Sequence, residues 1–237
     1  TGIHVLPVER LRTFYGLEKK PVRVIEPYQM LGEIDDDLMD ALGVDVIGIN
    51  PRNNMFGIIN EGKMKEFKTF WDQEVLVHEN FNTTYDQNGD LFIHPEGDLS
   101  VPPSGRMPKS SFFFDAVIRQ EPIDETALDP QDNLEEFGRI NDEDLNYWKK
   151  EIERVSGKDK AIIANFGGTA FGDIAIVPGL NLKHPKGIRD IAEWYMSVVM
   201  RPDYVHAIFE KQSEIALENL DKIYKVVGNK VDAVFSR

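Results

Sequence analysis

VGNKVDAVFSR, residues 227–237, couples a helix stop to a strand. Gly228 closes a long helix-like stretch, and Val231–Phe235 reads as a short buried strand. A parallel strand of this kind feeds a loop and a further helix, because it needs covered neighbours. Here only Ser236 and Arg237 follow. The strand is therefore either the last of an open sheet or a piece of a larger fold.

The chain ahead of it carries the same alternation. Pro202 suits a helix start, and Val205, Ile208, Phe209, Ile215, Leu220, Ile223 and Val227 mark the apolar stripe that follows. Ile188, Ile191, Ala192, Tyr195 and Val199 mark an earlier helix. KAIIANFGG, residues 160–168, is a buried strand ending in a glycine pair. Before it, Asn141 is an N-cap with Asp144 at N3, and the helix runs through Trp148, Ile152 and Val155 to Gly157.

The first third repeats the pattern. Leu6, Leu11 and Phe14 share one side of a short helix ending near Gly16, and Val22–Ile25 is a brief β-branched run. GEIDDDLMDALG, residues 32–43, is a helix with acids in its first turn, and VDVIGIN, residues 44–50, is a nearly all-apolar strand. Strand, helix, glycine, strand is the pattern of an α/β fold. The middle third differs. Around residues 74–114, turns interrupt strand-like text, and Asn88-Gly89 between Thr83–Tyr85 and Leu91–Ile93 signals a type I′ hairpin. The stretch reads as a β-rich insertion in one domain spanning residues 1–237.

Composition excludes several classes. The formal charge is −14, from 41 acidic against 27 basic residues, so the basic footprint that nucleic acid requires is missing. Mean hydropathy is −0.36 and no long uncharged apolar run occurs, which argues against a membrane partner. No signal peptide is visible, and the absence of cysteine fits a reducing, cytoplasmic setting. It also removes thiolate nucleophiles and Cys-based metal sites from this chain. The five histidines show no metal-ligand spacing, so no metal site is assigned. There is no G-x-S-x-G nucleophile elbow.

If the strands are parallel, their C-terminal ends line a site. Those ends carry Asn50 and Arg52, then Asn165, Gly167 and Gly168, then Arg237; His94 follows the hairpin. Amide and guanidinium groups suit a carboxylate or another polar headgroup. These seven are the candidate ligand-binding residues. The alternative for the Asn and Gly positions and for Arg52 is tight-turn formation, and for His94 a structural role without function. GGTAFGD, residues 167–173, lacks the Lys-Ser/Thr of a P-loop, so close backbone approach is its better reading. Asp35–Asp37 and Glu135–Glu136 read as solvated helix starts. No residue is assigned a catalytic role.

PYQMLGEIDDDLMDALGVDVIGINP (27–51), HPEGDLSVPPSGRMPKSSFFFDAVIRQ (94–120) and DIAEWYMSVVMRPDYVHAIFEKQSEIALENLDKIYKVVGNKVDAVF (190–235) together resemble the uroporphyrinogen decarboxylase superfamily. The likeness is to its bacterial branch, which includes corrinoid (methylcobamide) methyltransferases. The resemblance implies a TIM (β/α)8 barrel, here incomplete, because family members begin earlier and continue after the VDAV strand; the chain is then a fragment. It implies methyl transfer between a corrinoid and a small acceptor, with decarboxylation of a uroporphyrinogen-type tetrapyrrole, a lyase reaction of porphyrin biosynthesis, as the alternative. A non-catalytic module binding an anionic ligand is the third reading.

Corrinoid and zinc are the implied cofactors, the zinc activating a thiol nucleophile from ligands expected outside this segment. The implied partners are a small-molecule, tetrapyrrole or corrinoid substrate, a corrinoid protein and a second copy in a homodimer. The family's substrate-binding arginines precede this chain. Its tyrosine after the glycine pair is replaced by apolar residues at Ala175 and Ile176. The missing tyrosine counts against decarboxylation, whereas the arginines cannot be mapped onto this segment.

Overall fold

The structure, a computed structural model, describes residues 2–134, 138–166 and 173–235. In chain order these form β1 (Ile3–His4), α1 (Val5–Phe14), β2 (Val22–Glu26), β3 (Leu31–Gly32), α2 (Asp36–Leu42) and β4 (Val46–Ile49). Next come β5 (Met64–Lys68), β6 (Glu74–His78), β7 (Thr83–Tyr85), β8 (Leu91–Ile93), β9 (Gly105–Met107) and β10 (Asp115–Ala116). Then follow α3 (Asp142–Val155), β11 (Ala161–Ala164), α4 (Ile191–Met200), α5 (Pro202–Val227) and β12 (Ala233–Val234). Two compact units divide the chain. One is Thr1–Val44, Asn53–Val117 and Leu180–Lys183; the other is Asp45–Arg52, Ile118–Gly179 and His184–Arg237.

The first unit holds two sheets on one core. Its five-stranded sheet has the order β1-β3-β2-β6-β5, with β2 and β6 parallel and the other neighbours antiparallel. The second, β10-β9-β8-β7, is antiparallel throughout. Strand side chains alternate between faces, so Val22 and Val24, Val75 and Val77, and Leu91 and Ile93 all turn inward. There they meet Val5 and Val8 of α1 and the rings of Phe56, Phe81 and Phe114. Each such side chain contributes about 1.5–3 kcal/mol on burial. Residues 74–114 therefore supply much of this core, and β6 pairs directly with β2. The stretch is not packed as a separate excursion.

Arg12 shows why the acids of α2 are more than a solvated helix start. Its guanidinium is buried and donates to Asp35 at 3.2 Å, to both oxygens of Asp37 at 2.9 and 2.8 Å, and to the Glu18 carbonyl. The bond from Arg12 holds the Asp37 carboxyl below the usual range. Glu135 and Glu136 lie outside the described residues.

The second unit holds the three strands expected to be parallel, and they are. The order is β12-β11-β4, with Ala161 opposite Val46, Ala164 opposite Ile49, and Ile163 opposite Ala233. Asn141 caps α3 by accepting the Asp144 N–H at 2.8 Å, as its position predicts, and Trp148, Ile152 and Val155 form the buried face. Most of the α5 stripe also holds, with Val205, Ile208, Ile215, Ile223 and Val227 buried, but Leu220 is exposed and Phe209 only half-buried.

The barrel does not form. The strands fall into three sheets, and the parallel one is three strands wide. Closure requires every strand to be paired on both sides; among the described residues, β4 and β12 each have one neighbour. β2, the first strand of the strand–helix–glycine–strand order, does not join β4 and pairs with β3 and β6. Burial in β4 alternates, with Ile47 and Ile49 buried and Val46 and Gly48 exposed, so one face is left uncovered.

Two local expectations also change. α4 buries Trp194 and Ser197 and exposes Tyr195 and Val199, the reverse of the predicted face. The β7–β8 connection is a three-residue loop, because Asp86 N–H donates to the Asp90 carbonyl at 3.1 Å. Of the predicted Asn88-Gly89 pair, only Gly89 has positive φ. The Asp86 carboxylate accepts the N–H groups of Asn88 and Asp90, each at 2.9 Å, and so fixes the turn.

Candidate functional site

The strand ends of the second unit bring Asn50 and Asn165 together. β4 and β11 run in register to Ile49 and Ala164, and the Asn165 N–H donates to the Ile49 carbonyl at 2.8 Å, which extends the ladder. Asn50 and Asn165 are the next residues on neighbouring strands. The two-residue period puts them on the face opposite buried Ile49 and Ala164, where Asn50 is exposed and Asn165 half-buried.

Arg52 continues from β4 and turns to the start of α3. Its Nη1 donates to Glu143 Oε2 at 2.8 Å and lies 3.7 Å from Asp144 Oδ1. Arg52 is 20% exposed and Glu143 75%, so one side of this pair is fixed in the protein and the other stands in water. One turn beyond Asp144, Trp148 packs edge-on against Phe166 at 5.3 Å. Phe166 follows Asn165, so α3 is seated against the end of β11. The Trp148 indole N–H is buried with no acceptor among the described residues.

These three candidates, Asn50, Arg52 and Asn165, share one strand-end region. Gly167, Gly168 and Arg237 lie outside the described residues. His94 belongs to the first unit and is built into its core. Its Nδ1 lies 2.8 Å from the Val101 carbonyl, and its Nε2 lies 3.0 Å from the Thr84 hydroxyl. The carbonyl can only accept, so Nδ1 donates to it, while the Thr84 hydroxyl can pair with Nε2 as donor or acceptor. One ring nitrogen serves the loop after β8 and the other β7, which fits the structural alternative.

Glu143 and Asp144 were not legible as partners of Arg52. A second feature without a sequence signal is the pair Arg119 and Arg189. Arg189 is fully buried and donates to the Lys186, Val177 and Asp132 carbonyls, while Arg119 donates to the Gly179 carbonyl. Burial, with the nearby Arg189 charge, lowers Arg119 to about 10. Nearby, desolvation pushes Tyr204 up to about 12, and its hydroxyl donates to Asn133 Oδ1 at 2.7 Å.

The implied zinc was expected to take its ligands from outside this segment. Among the described residues no three His, Asp or Glu side chains gather where they could hold a metal, and the chain has no cysteine. A small, partly open recess in the first unit is lined by Met30, Phe67, Phe70, Trp71, Tyr85 and Met107 among others. No helix among the described residues is long and apolar enough to cross a membrane. Comparison with protein-family models, curated proteins and solved structures finds no match to this chain.

Proposed function

We propose that this chain holds a small carboxylate-bearing substrate at the ends of β4 and β11, as part of a cytoplasmic enzyme of the uroporphyrinogen decarboxylase superfamily. The reaction we assign is methyl transfer between a corrinoid and a small acceptor, the activity that the sequence resemblance favours. One observation carries the substrate-holding role: in-register parallel strands set Asn50 beside Asn165, with Arg52 two residues further along the same chain. Ligands of open α/β sheets bind outside the carboxyl ends of the strands. Asparagine amides donate to a carboxylate without adding charge, and the Arg52 fork matches its two oxygens.

These residues bind and orient; none of them is positioned as a nucleophile or proton donor. A charged hydrogen bond of this kind contributes about 1.5–3 kcal/mol. Lysine keeps the charge and loses the fork, so Arg52→Lys should weaken binding about tenfold. The test is titration of ¹³C-labelled succinate into wild type and Arg52→Lys, followed by NMR. The same proteins are assayed for thiol-dependent loss of the methylcobalamin absorbance. Equal succinate affinity in the two proteins would remove Arg52 from the site, and no turnover of methylcobalamin by wild type would remove the assigned reaction.

A further inference from the structure

We propose that the aromatic recess of the first unit binds a quaternary ammonium head, a cation that carries N-methyl groups. It uses no residue of the strand-end site in the second unit, so it stands apart from the function assigned there. Met30, Leu91 and Met107 are buried and form its floor, and half-buried Phe67, Phe70 and Trp71 stand around them. Tyr85, 60% exposed, lies at the mouth. The Phe70 and Tyr85 rings are 6.4 Å apart with planes at 70°, so together they make a corner.

The polar groups among these rings are already used within the protein. The Trp71 indole N–H donates to Gln73 Oε1 at 2.8 Å, and the Gln73 amide donates to the Val5 carbonyl at 3.0 Å. The Thr69 hydroxyl donates to the Gln73 carbonyl at 3.1 Å. What remains for a ligand is π surface and thioether sulfur. A primary ammonium entering such a place gives up its hydrogen bonds to water. A quaternary ammonium has none to lose, and the ring quadrupoles attract its charge. Methionine sulfur is polarizable and packs well against methyl groups.

Charge at the mouth has the matching sign. Lys68 lines the recess, but its ammonium is 2.6 Å from Asp72 Oδ1, and Glu74 is its partner across the β5–β6 ladder. One lysine between two carboxylates leaves the surround negative, and the whole chain carries −14. The recess is small, so a methyl group enters while the charged nitrogen stays against the rings at the mouth.

The experiment follows the indole N–H signals in ¹⁵N-correlated NMR spectra at constant ionic strength. Choline chloride is titrated in and compared with neohexyl alcohol, the uncharged isostere in which carbon replaces nitrogen. The chain has three tryptophans, and Trp148 and Trp194 belong to the second unit, so they serve as internal controls. Trp71→Phe identifies the Trp71 signal. Tyr85→Leu removes one ring and should weaken choline binding about two- to fivefold, the worth of one exposed cation–π contact. Tyr85→Phe keeps the ring and should bind as wild type.

The expected result is a saturable shift of the Trp71 signal with millimolar choline, none with the isostere, and unmoved Trp148 and Trp194 signals. No Trp71 shift at tens of millimolar choline would overturn the site. Equal shifts with the isostere would overturn the cation assignment in favour of a plain apolar recess. Movement of all three indole signals together would reveal a general salt effect and overturn it as well. Unchanged affinity in Tyr85→Leu would remove the ring corner from the site, and a loss in Tyr85→Phe would mean that a hydroxyl contact, not a ring face, holds the ligand.

Discussion

Gly97 is the position where the backbone leaves least room for another residue. Its φ is +76°, and a Cβ there would stand 1.9 Å from the Asn80 carbonyl oxygen. The Asn82 amide also donates to the Gly97 carbonyl at 2.9 Å, which fixes the approach. A left-handed residue with a side chain costs about 1–2 kcal/mol, and overlap with a backbone oxygen adds to it because backbone must shift to relieve it. Gly16 is the control: φ is +67° with nothing within 4 Å. Gly97→Ala should therefore lose about 3 kcal/mol or more in urea unfolding, and Gly16→Ala only about 1–2 kcal/mol. Equal losses would mean that the Asn80 segment moves freely. At this scale the sequence is poorly informative about side-chain roles. His94 and Arg52 both look like ligand groups when read alone. One is locked between Thr84 and Val101, and the other meets an acid 91 residues away.

Elements were easier to read than their pairing. β4, β11 and β12 were legible because each is a short apolar run bounded by turn residues, and α3 because Asn141 precedes a 3.6-residue stripe. The sheet that each strand joins was not legible, since β2 could pair with β4 or β6 without any change in its own pattern. α4 is apolar on more than one side, so its sequence did not say which side faces the core. The segment Leu180–Lys183 is a further case, because its place in the first unit depends on side chains far along the chain. Leu180 enters that unit's core, and Lys183 donates to Asp98 at 2.9 Å and pairs with Glu96 at 3.1 Å. Asp98 also accepts the Ser100 hydroxyl at 2.6 Å; this bond first, then Lys183, drives its pKa far below the usual carboxylate range. A depressed folded-state pKa means that the stabilisation is complete above the unfolded value of about 3.9 and is lost as pH falls toward the folded one. The stability difference between wild type and Asp98→Asn should therefore be constant from neutral pH to about pH 5 and shrink below about pH 4. Thermal melts across that range test it; a difference that grows on acidification would contradict the assignment.

For the whole molecule, charge and exposed apolar surface act against each other. The chain carries a formal charge of −14, which keeps copies apart. It also exposes Tyr195, Val199 and Met200 on α4, and Leu217 and Tyr224 on α5, with Val199 at 81%. Apolar residues scattered singly need no partner, but those on α4 fall on one side of one helix. Tyr195 and Val199 are four residues apart, so they share a face, with Met200 beside them. At low ionic strength the repulsion extends over tens of ångströms, whereas at 1 M salt it is screened within about 3 Å. Burial of apolar surface does not weaken with salt in this way. Raising sodium chloride should therefore promote self-association, read by sedimentation velocity as a shift to larger species. Val199→Glu places a charge in the middle of the α4 patch and should suppress that shift, whereas the same change at exposed Lys150 on α3 should not. Association that declined with salt would show that ion pairs, and not apolar contact, join the copies. Equal association of wild type and Val199→Glu at high salt would place the contact away from α4.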